Sequence, residues 1–242
     1  MAKRFVKQPI RKKKSTLSAY MEGLTQQFQD VTVRTFHFNP IMVNTLVLHD
    51  ASKEAIIVDP GNCQSYEDAQ LQEYIDNHHL TVKHIINTHP HIDHIAGNPW
   101  CVQAWPSATL LMHEAGQPIY RMAHAYAVAF GLSVETMPPA SSFLKEGDTL
   151  AFGQQRLQVL YTPGHCDGSI TLYDQANGYL ICGDLIFEES VGRSDLPTGN
   201  GDLLVEMIKN KVLCLPDETV IIPGHGFNTT VKHEKLYNPF IQ

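Results

Sequence analysis

The sequence predicts an α/β protein in which two β-sheets pack face to face and helices cover their outer surfaces. Segments with strand character fall into two groups along the chain, and each group includes segments with the apolar periodicity of helices. Hydrophobic residues make up 43% of the 242 residues, which is enough for a substantial core. No linker rich in Gly, Ser or Pro interrupts residues 31–242. We therefore expect residues 31–242 to form one domain.

The composition excludes several classes of protein. Charged residues make up 18% of the chain, which together with its regular apolar segments excludes a disordered protein. No apolar run approaches the roughly 20 residues that a membrane-spanning helix needs, and the N-terminus lacks the apolar segment of a secretory signal. The five cysteines are odd in number and contain no C-x-x-C pair, which favours free thiols in a reducing cytoplasm over a disulfide framework.

The start of the chain differs in charge from the rest. Residues 1–14 contain seven Lys or Arg and no acidic residue, so we predict that residues 1–30 form a basic, disordered extension. A tail that binds nucleic acid or a membrane surface is the alternative. The chain from residue 15 onward has 11 basic and 25 acidic residues, a net charge of −14, which would repel nucleic-acid phosphates. We therefore expect a small-molecule substrate, and neither nucleic acid nor a membrane as partner.

The first group of predicted strands lies within residues 31–112. Their side chains are largely β-branched or apolar, and turn residues such as Asn39-Pro40 and Asp59-Pro60-Gly61 end them. Apolar side chains at helical spacing predict a helix over residues 65–79, and Gly97-Asn98-Pro99 opens a second helix. The strands of this group are residues 31–38, 43–48, 54–59, 82–88 and 108–112.

A helix rich in aromatic side chains is predicted over residues 118–132. Tyr120, Met122, Tyr126 and Phe130 lie along it. Apolar stripes on helices usually face a core, so we predict that these side chains pack in one. A wall or lid over a binding site is the alternative.

The second group of predicted strands lies within residues 157–222. An amphipathic helix over residues 202–213 precedes the last of them. The strands are residues 157–162, 169–173, 178–182 and 219–222.

The segment Thr88-His89-Pro90-His91-Ile92-Asp93-His94 carries the strongest functional signal. Three imidazoles and one carboxylate, which are side chains that suit zinc and nearby transition metals, lie within six residues after a buried strand. The imidazoles at positions i, i+2 and i+5 do not share a helical face, so we expect a tight loop that directs all four groups to one point. A polar loop with surface histidines is the alternative.

Further metal donors follow the ends of other predicted strands. His165 and His225 each follow a Pro-Gly pair, which gives a sharp turn, and Asp184 follows Gly183 directly after a strand. A lone His or Asp is usually structural or exposed. Three of them at strand ends, in a chain whose histidine cluster needs further ligands, predict that they complete the metal site.

The ordered set His89-x-His91-x-Asp93-His94, His165, Asp184 and His225 resembles that of the metallo-β-lactamase superfamily over residues 31–242. Because Asp184 stands where true β-lactamases have a cysteine ligand, the chain is most similar to the glyoxalase II-like hydrolases. Smaller shared features are Asp59-Pro60-Gly61, Gly192-Arg193-Ser194-Asp195 and the ending Thr229-Thr230…Glu234…Asn238-Pro239-Phe240. The resemblance implies a four-layer αβ/βα sandwich with metals at the sheet edges.

The resemblance also implies roles for the site residues. His89, His91 and His165 would bind one divalent metal ion, Asp93, His94 and His225 a second, and Asp184 both. Zinc is expected, with iron or manganese as alternatives. Asp93 and Asp184 are implied as catalytic through a hydroxide held between the metals, which lower the pKa of a bound water from 15.7 to about 7. Such a hydroxide would hydrolyse a thioester, whose thiolate leaving group, with a pKa near 8.5, hardly needs a proton donor.

Three further residues are predicted beside the metals. Asp59 would orient a ligand imidazole through its far N–H. Arg193 and Asp195 would form an ion pair, with a substrate contact as the alternative. Glyoxalase II continues into a helical domain that holds glutathione, whereas this sequence stops 17 residues after His225, so the resemblance is to the compact type without that domain.

Two rival functions also follow from the resemblance. Mononuclear-iron persulfide dioxygenases have a similar fold and a Gly-Arg-x-Asp segment, but they use two His and one Asp as metal ligands. The complete second set of donors here, which includes His225, favours the dinuclear hydrolase. A nucleic-acid-processing member is disfavoured by the net charge of −14 from residue 15 onward and by the lack of the separate domain that such nucleases add.

Overall fold

The structure, a computed structural model, describes residues 23–241 and confirms the predicted α/β sandwich. Two large β-sheets pack face to face through an apolar core, and helices pack against the outer face of each sheet. Four layers result because both faces of each sheet are apolar, and each of these faces must be buried against a neighbouring layer.

The first sheet has seven strands, arranged in their order along the chain. The first four are antiparallel to their neighbours, whereas the fourth to the seventh are parallel and need longer connections, most of which contain helices. The strands are β1 (Leu24–Phe28), β2 (Val31–Phe38), β3 (Val43–His49), β4 (Glu54–Val58), β5 (Thr81–Ile86), β6 (Thr109–His113) and β7 (Ser142–Leu144).

The second sheet has six strands, and a short two-stranded ladder accompanies it. The sheet is formed by β8 (Thr149–Phe152), β9 (Gln155–Tyr161), β10 (Ile170–Asp174), β11 (Tyr179–Gly183), β14 (Val220–Pro223) and β15 (Thr229–Thr230), and the ladder by β12 (Ile186–Phe187) and β13 (Ser190–Val191). The order in the sheet is β15-β14-β11-β10-β9-β8. Because β11 and β14 are parallel neighbours, their carboxyl ends lie side by side.

Most of the helices are short. They are α1 (Ser65–Asn77), α2 (Ile92–Ile95), α3 (Asn98–Ala104), α4 (Gln117–Arg121), α5 (Ala123–Ala129), α6 (Gly201–Met207) and α7 (Val231–Tyr237). A 3₁₀ turn (Glu114–Gly116) precedes α4, and a π-helical turn (Ile208–Val212) continues α6. Within residues 23–241, no helix has the length and apolar character needed to cross a membrane.

The core has one layer between the sheets and one outside each sheet. Leu46 and Ile56 of the first sheet belong to the same fully buried cluster as Phe152 and Leu172 of the second. The outer clusters form where α1 covers the first sheet and where α6 with its π-helical turn covers the second. Burial of side chains of this size contributes about 1.5–3 kcal/mol each, which stabilises the stacking of the layers.

The start of the folded domain differs from the prediction. Strand β1 lies inside residues 1–30, which the sequence predicts to be a disordered extension, so that boundary is wrong from Leu24 onward. This strand pairs along its whole length with β2, but its sequence, LTQQF, is mostly polar and exposed, as an edge strand allows. The basic cluster in residues 1–14 lies outside the described residues, and its predicted disorder stays a prediction.

The aromatic segment also differs from the prediction. The single helix expected over residues 118–132 is two short helices, α4 and α5, which meet at Met122. Tyr120 is buried in a small cluster with Ile92 and Ile95, so core packing is confirmed for it. Met122 and Phe130 are 53% and 48% exposed, so core packing is wrong for them.

The carboxyl ends of the parallel strands form one edge of the sandwich. Strands β4 and β5 end beside each other in the first sheet, as β11 and β14 do in the second. Backbone hydrogen bonds join the loops of the two sheets there: Ile170 N–H donates to Thr88 O at 2.8 Å, and Asn44 N–H donates to Gly224 O at 2.7 Å. Loops that follow strands of both sheets therefore meet at this edge.

Candidate metal centre

The histidine-rich segment continues from the carboxyl end of β5. His91 stands at the N-cap of α2, so Asp93 and His94 lie on one turn of helix where the sequence predicts a loop. The ligand atoms of these two residues lie close together, with His94 Nε2 3.5 Å from an oxygen of Asp93. The buried amide of Asn39 holds the turn in place, since its Nδ2 donates to Gly61 O at 3.0 Å and to Asp93 O at 2.9 Å.

Three other loops contribute His165, Asp184 and His225, which follow β9, β11 and β14. The glycine before each of these histidines has a structural reason. Gly164 has a φ of +127°, which favours glycine, and a β-carbon on Gly224 would overlap the carboxylate of Asp184. In both Pro-Gly-His turns, glycine therefore allows a backbone conformation or a close contact that a residue with a β-carbon would not allow.

The structure brings these side chains together in two groups. The ligand atoms of His89, His91 and His165 lie within 4.8 Å of one another, and so do those of Asp93, His94 and His225. In the first group, His91 Nδ1 is 2.8 Å from His165 Nε2. In the second, His225 Nε2 is 3.3 Å from His94 Nε2 and 3.1 Å from a carboxylate oxygen of Asp93. Each group therefore converges on one point.

Asp184 lies between the two groups. Its Oδ1 is 3.3 Å from His94 Nε2, and its Oδ2 is 3.7 Å from His165 Nε2 and 3.7 Å from His225 Nε2. One carboxylate thus reaches both sets of donors, which is the arrangement that a bridging ligand requires.

Four of the five imidazoles have a hydrogen-bonding partner on the ring nitrogen that faces away from the site. These contacts are His94 Nδ1 to Asp59 Oδ2 (2.9 Å), His165 Nδ1 to Arg193 O (2.7 Å), His225 Nδ1 to Met42 O (3.2 Å) and His89 Nδ1 to Thr88 Oγ1 (3.2 Å). Partners of this kind fix the tautomer and orientation of metal-binding imidazoles, and they leave the inner nitrogen free to coordinate.

Asp59 orients His94 through the ring nitrogen Nδ1, whereas Nε2 of the same ring is the nitrogen near Asp93, Asp184 and His225. Its carboxylate accepts hydrogen bonds from Thr88 N–H at 2.7 Å, from Thr88 Oγ1 at 2.6 Å and from His94 Nδ1. Its backbone has a φ of +51°, an uncommon conformation for a residue other than glycine. The surrounding bonds hold this strained residue in place, as is typical of functional sites.

Arg193 and Asp195 form the ion pair that the sequence predicts. Two nitrogens of the Arg193 guanidinium lie 2.8 Å from the Asp195 oxygens, and both side chains are more than half exposed. An exposed pair of this kind contributes little to stability. The closer link to the site is the Arg193 carbonyl, which contacts His165, a contact that side-chain chemistry in the sequence does not indicate.

Burial and charge separate the protonation states of the histidines. Burial, together with the neighbouring imidazoles, lowers the pKa of His89 well below its usual value and that of His91 to about 4. Burial also opposes the charged form of His94, but the carboxylates of Asp184, Asp93 and Asp59 outweigh it and raise the pKa of His94. For Asp184, the nearby His94 outweighs burial and holds the pKa of the carboxyl well below its usual range. Because the lowered pKa keeps the carboxyl group of Asp184 ionised, its negative charge favours the binding of a cation at the site.

The donor set fits a metal centre. His89 Nε2 and Asp184 Oδ1 are buried, and neither has a hydrogen-bond partner among the described residues. An unpartnered buried polar atom is costly, and a coordinated cation would satisfy both atoms. The short approaches between inward-facing imidazole nitrogens also require a proton or a cation between their lone pairs. Imidazoles and carboxylates in this number suit zinc, and also iron or manganese.

A cavity of about 340 Å³ opens onto the candidate ligands. Tyr126 and Phe130 form part of its wall. For these two side chains, the structure agrees with the alternative interpretation of the aromatic segment, a wall over a binding site. A larger cavity of about 500 Å³ is lined by other residues of the α4 and α5 segment, and none of the predicted site residues reaches it. The smaller cavity is therefore the candidate substrate site.

Asn44 is a positioning residue that sequence reasoning missed. It is buried in β3, and its Nδ2 donates to the carbonyls of Pro223 at 2.9 Å and Gly226 at 3.1 Å, on either side of His225. Nothing in the local sequence distinguishes it, because its partners lie about 180 residues further along the chain.

Cys166 follows His165 but does not take part in the site as a thiolate. It is fully buried, and its Sγ lies 3.4 Å from Ser169 Oγ. Burial raises the pKa of its thiol to about 12, so it stays protonated and unreactive at neutral pH. All five cysteines are free thiols, and the cytoplasmic location inferred from their pattern stays a prediction.

We expect Asp59→Asn to bind metal about 10- to 100-fold more weakly than the wild type while the fold is kept. Asn tolerates the positive φ of this position, but its neutral amide orients His94 less strongly. Affinity would be measured by competition with a chromogenic chelator. Asp50→Asn is the matched control, since Asp50 is a buried, hydrogen-bonded carboxylate just beyond the end of β3 that is remote from His225. Unchanged affinity in Asp59→Asn would contradict the orienting role.

The chain matches one family model, described as the metallo-beta-lactamase superfamily, over residues 38–225. Among curated proteins it is 31% identical over 204 residues to the hydroxyacylglutathione hydrolase GloC of Haemophilus influenzae (strain ATCC 51907 / DSM 11121 / KW20 / Rd), with 82% of this chain and 92% of GloC covered.

Two solved structures are informative for the site. The di-iron-bound form of TTHA1623 has a TM-score of 0.77 and 32% identity, with 85% of this chain and 98% of that chain covered. ETHE1 from Myxococcus xanthus has a TM-score of 0.69 and 26% identity, with coverages of 86% and 83%. One of these two similar structures therefore holds a di-iron centre.

Proposed function

Since the chain belongs to the metallo-β-lactamase superfamily and its relatives indicate a metal-dependent hydrolase, we propose that it cleaves thioesters at a site for two divalent metal ions. The observation that supports this most is the carboxylate of Asp184, which lies near imidazoles of both groups of three donors. A site for a single metal would need only one of these groups.

The proposed ligands divide according to these groups. His89, His91 and His165 would hold one ion, Asp93, His94 and His225 the other, and Asp184 both. Zinc is the expected metal, with iron or manganese as alternatives, since the same donors suit all three. Residues 23–241 would then form the catalytic domain.

The residues of the cavity favour a substrate with a good leaving group. Metal ions bound here would acidify a water molecule and polarise the scissile carbonyl. Asp93 and Asp184 would contribute the negative charge that holds the metals, and Asp59 and the Arg193 carbonyl would fix the imidazoles that surround them. Apart from the proposed ligands, the titratable side chains that line the cavity are Arg193 and Tyr126, so the described residues provide no further carboxylic acid or imidazole to protonate a leaving group. A thiolate, with a pKa near 8.5, leaves without one.

A persulfide dioxygenase is the second candidate, because the Gly192-Arg193-Ser194-Asp195 segment resembles the Gly-Arg-x-Asp segment of those enzymes. Such an enzyme would use a mononuclear iron with two His and one Asp. The second group of donors, which includes His225, would then have no role in metal binding. The proximity of His225 to Asp93 and to Asp184 therefore supports the hydrolase over the dioxygenase.

The deciding experiment combines metal analysis with a substrate panel. The purified protein would be assayed for zinc, iron and manganese per chain and tested on a thioester series, on glutathione persulfide with oxygen consumption, and on a β-lactam as a hydrolysis control. We expect two metal ions per chain and thioester hydrolysis. One iron per chain with oxygen consumption would favour the dioxygenase, and two metals without thioester cleavage would contradict the proposed substrate.

A further inference from the structure

The cavity beside the candidate metal centre has two kinds of surface. Its floor is formed by five of the proposed ligands. Its walls are mainly apolar and come from four separate parts of the chain: Ile41, Ile92, Tyr126, Phe130, Leu196 and Pro197. Because these side chains lie next to the ligands, a group bonded to the scissile carbon would be in contact with them.

The walls also provide little charge. Among the described residues that line the cavity, Arg193 is the one Lys or Arg, and both oxygens of Asp195 already pair with its guanidinium. At the cavity, the part of the chain that the structure describes therefore offers one guanidinium, already paired, to an anionic thiol carrier such as glutathione, which has two carboxylates to recognise.

The apolar wall is partly open to solvent in the absence of substrate. Phe130 is 48% exposed and Ile41 is 37% exposed, and both lie at this cavity. Large apolar side chains exposed next to a concave site commonly mark a binding surface, because a ligand gains free energy by covering them. The volume of about 340 Å³ lies at the small end of ligand pockets, so it suits one substituent and not a whole carrier.

We infer that the substrate is a thioester with an apolar acyl group, an alkyl chain or an aryl ring, which packs between the Tyr126–Phe130 side of the cavity and Leu196 with Pro197. This inference rests on the proposed function. Biological thiol carriers of the glutathione and coenzyme A type are charged, so the uncharged wall belongs to the acyl side and the carrier extends to solvent.

The first test is a chain-length series on an uncharged carrier. Acetyl, butyryl and hexanoyl thioesters of N-acetylcysteamine would be compared by kcat/KM, with the lactoyl thioester as a polar reference. Each buried methylene corresponds to a gain of up to about fourfold, so we expect the hexanoyl ester to exceed the acetyl ester at least tenfold. Hydrolysis with no dependence on chain length, or with the lactoyl ester fastest, would overturn the inference and leave the proposed function standing.

The second test uses variants of the wall. Phe130→Ala should reduce the hexanoyl-to-acetyl ratio of kcat/KM about three- to tenfold, mainly through a higher KM for the hexanoyl ester. The fold should tolerate this change because Phe130 is half exposed. Val128→Ala is the matched control, since Val128 lies two residues before Phe130 in the last turn of α5, is 69% exposed and does not line the cavity. Equal effects of the two variants would count against the inferred acyl site.

A binding measurement separates this inference from the proposed function. Acetohydroxamate and hexanohydroxamate would be titrated calorimetrically into zinc-loaded protein. At least tenfold tighter binding of the longer compound, lost in Phe130→Ala, supports the apolar site. If this result is found but no thioester is cleaved, the proposed thioester reaction is wrong and the apolar site stands. Equal affinity of the two hydroxamates overturns the apolar site.

Discussion

Replacing Asp184 with Asn should remove at least one of two metal ions per chain and slow thioester hydrolysis about 10³-fold. The carboxylate lies within 3.3–3.7 Å of imidazole nitrogens from both donor groups, so its charge acts on both metal positions. Asn keeps the shape but removes the negative charge. A catalytic metal supplies several kcal/mol of transition-state stabilisation, and a loss of about 4 kcal/mol corresponds to three powers of ten in rate.

Metal content after gel filtration and kcat on the best thioester would be measured for Asp184→Asn and for Asp195→Asn. The second variant is the matched control, because Asp195 also lies near the cavity but is exposed, and its ion-pair partner among residues 23–241 is Arg193. We expect it to retain both metals. If Asp184→Asn retained both metals and most of its activity, the proposed bridging role would be wrong.

The positions of the candidate ligands could be predicted because each one has a local signature. A buried strand followed by Pro-Gly-His or Gly-Asp fixes where a side chain leaves the sheet, and strand ends in a sandwich meet at common edges. The sequence could not show that Asp93 and His94 lie on a helical turn. That turn is held by the amide of Asn39, more than 50 residues earlier in the chain.

The parts of the fold that the sequence did not predict depend on partners rather than on local pattern. Strand β7 has three residues and forms against the edge of β6, and the polar β1 forms against β2. Helix α7 was also missed, because the side chain that anchors it is a buried carboxylate. Glu234 accepts hydrogen bonds from Thr229 Oγ1 and from Asn238 Nδ2. These bonds explain why Thr229, Glu234 and Asn238 occur together in the C-terminal segment.

Removal of the metals should change the pH dependence of stability in a defined direction. Burial lowers the pKa of His94 and of His225, but the carboxylates of Asp93 and Asp184 outweigh it, so both values are raised above 6.5 in the metal-free protein. A raised pKa contributes stability that is present below pH 6.5 and is lost as the pH rises through the folded-state value. Each such group reduces the free energy of unfolding by up to about 1.4 kcal/mol per pH unit in that window.

Two other histidines change the pH dependence of stability in the opposite direction, at pH values below 6.5. The pKa values of His89 and of His91 are lowered by burial, that of His91 to about 4, so the unfolded chain binds their protons more strongly. Their effect makes stability rise with pH up to about 6.5, after which they are neutral in both states. Because the two pairs act on opposite sides of that value, these histidines alone predict a stability maximum for the metal-free protein near pH 6.5.

Bound metal should reverse the decline above that pH. Protons and metal ions compete for the same imidazole nitrogens, so metal affinity rises as His94 and His225 lose their protons, and tighter binding stabilises the folded state. Unfolding would be followed from pH 5 to pH 9 with excess zinc and with a chelator. The melting temperatures of the two forms should diverge progressively above pH 6.5, by about 2–4 °C for each 1 kcal/mol. Parallel curves above pH 6.5 would mean that these imidazoles do not coordinate the metal, because a ligand that gives up its proton to bind a cation must link the two equilibria.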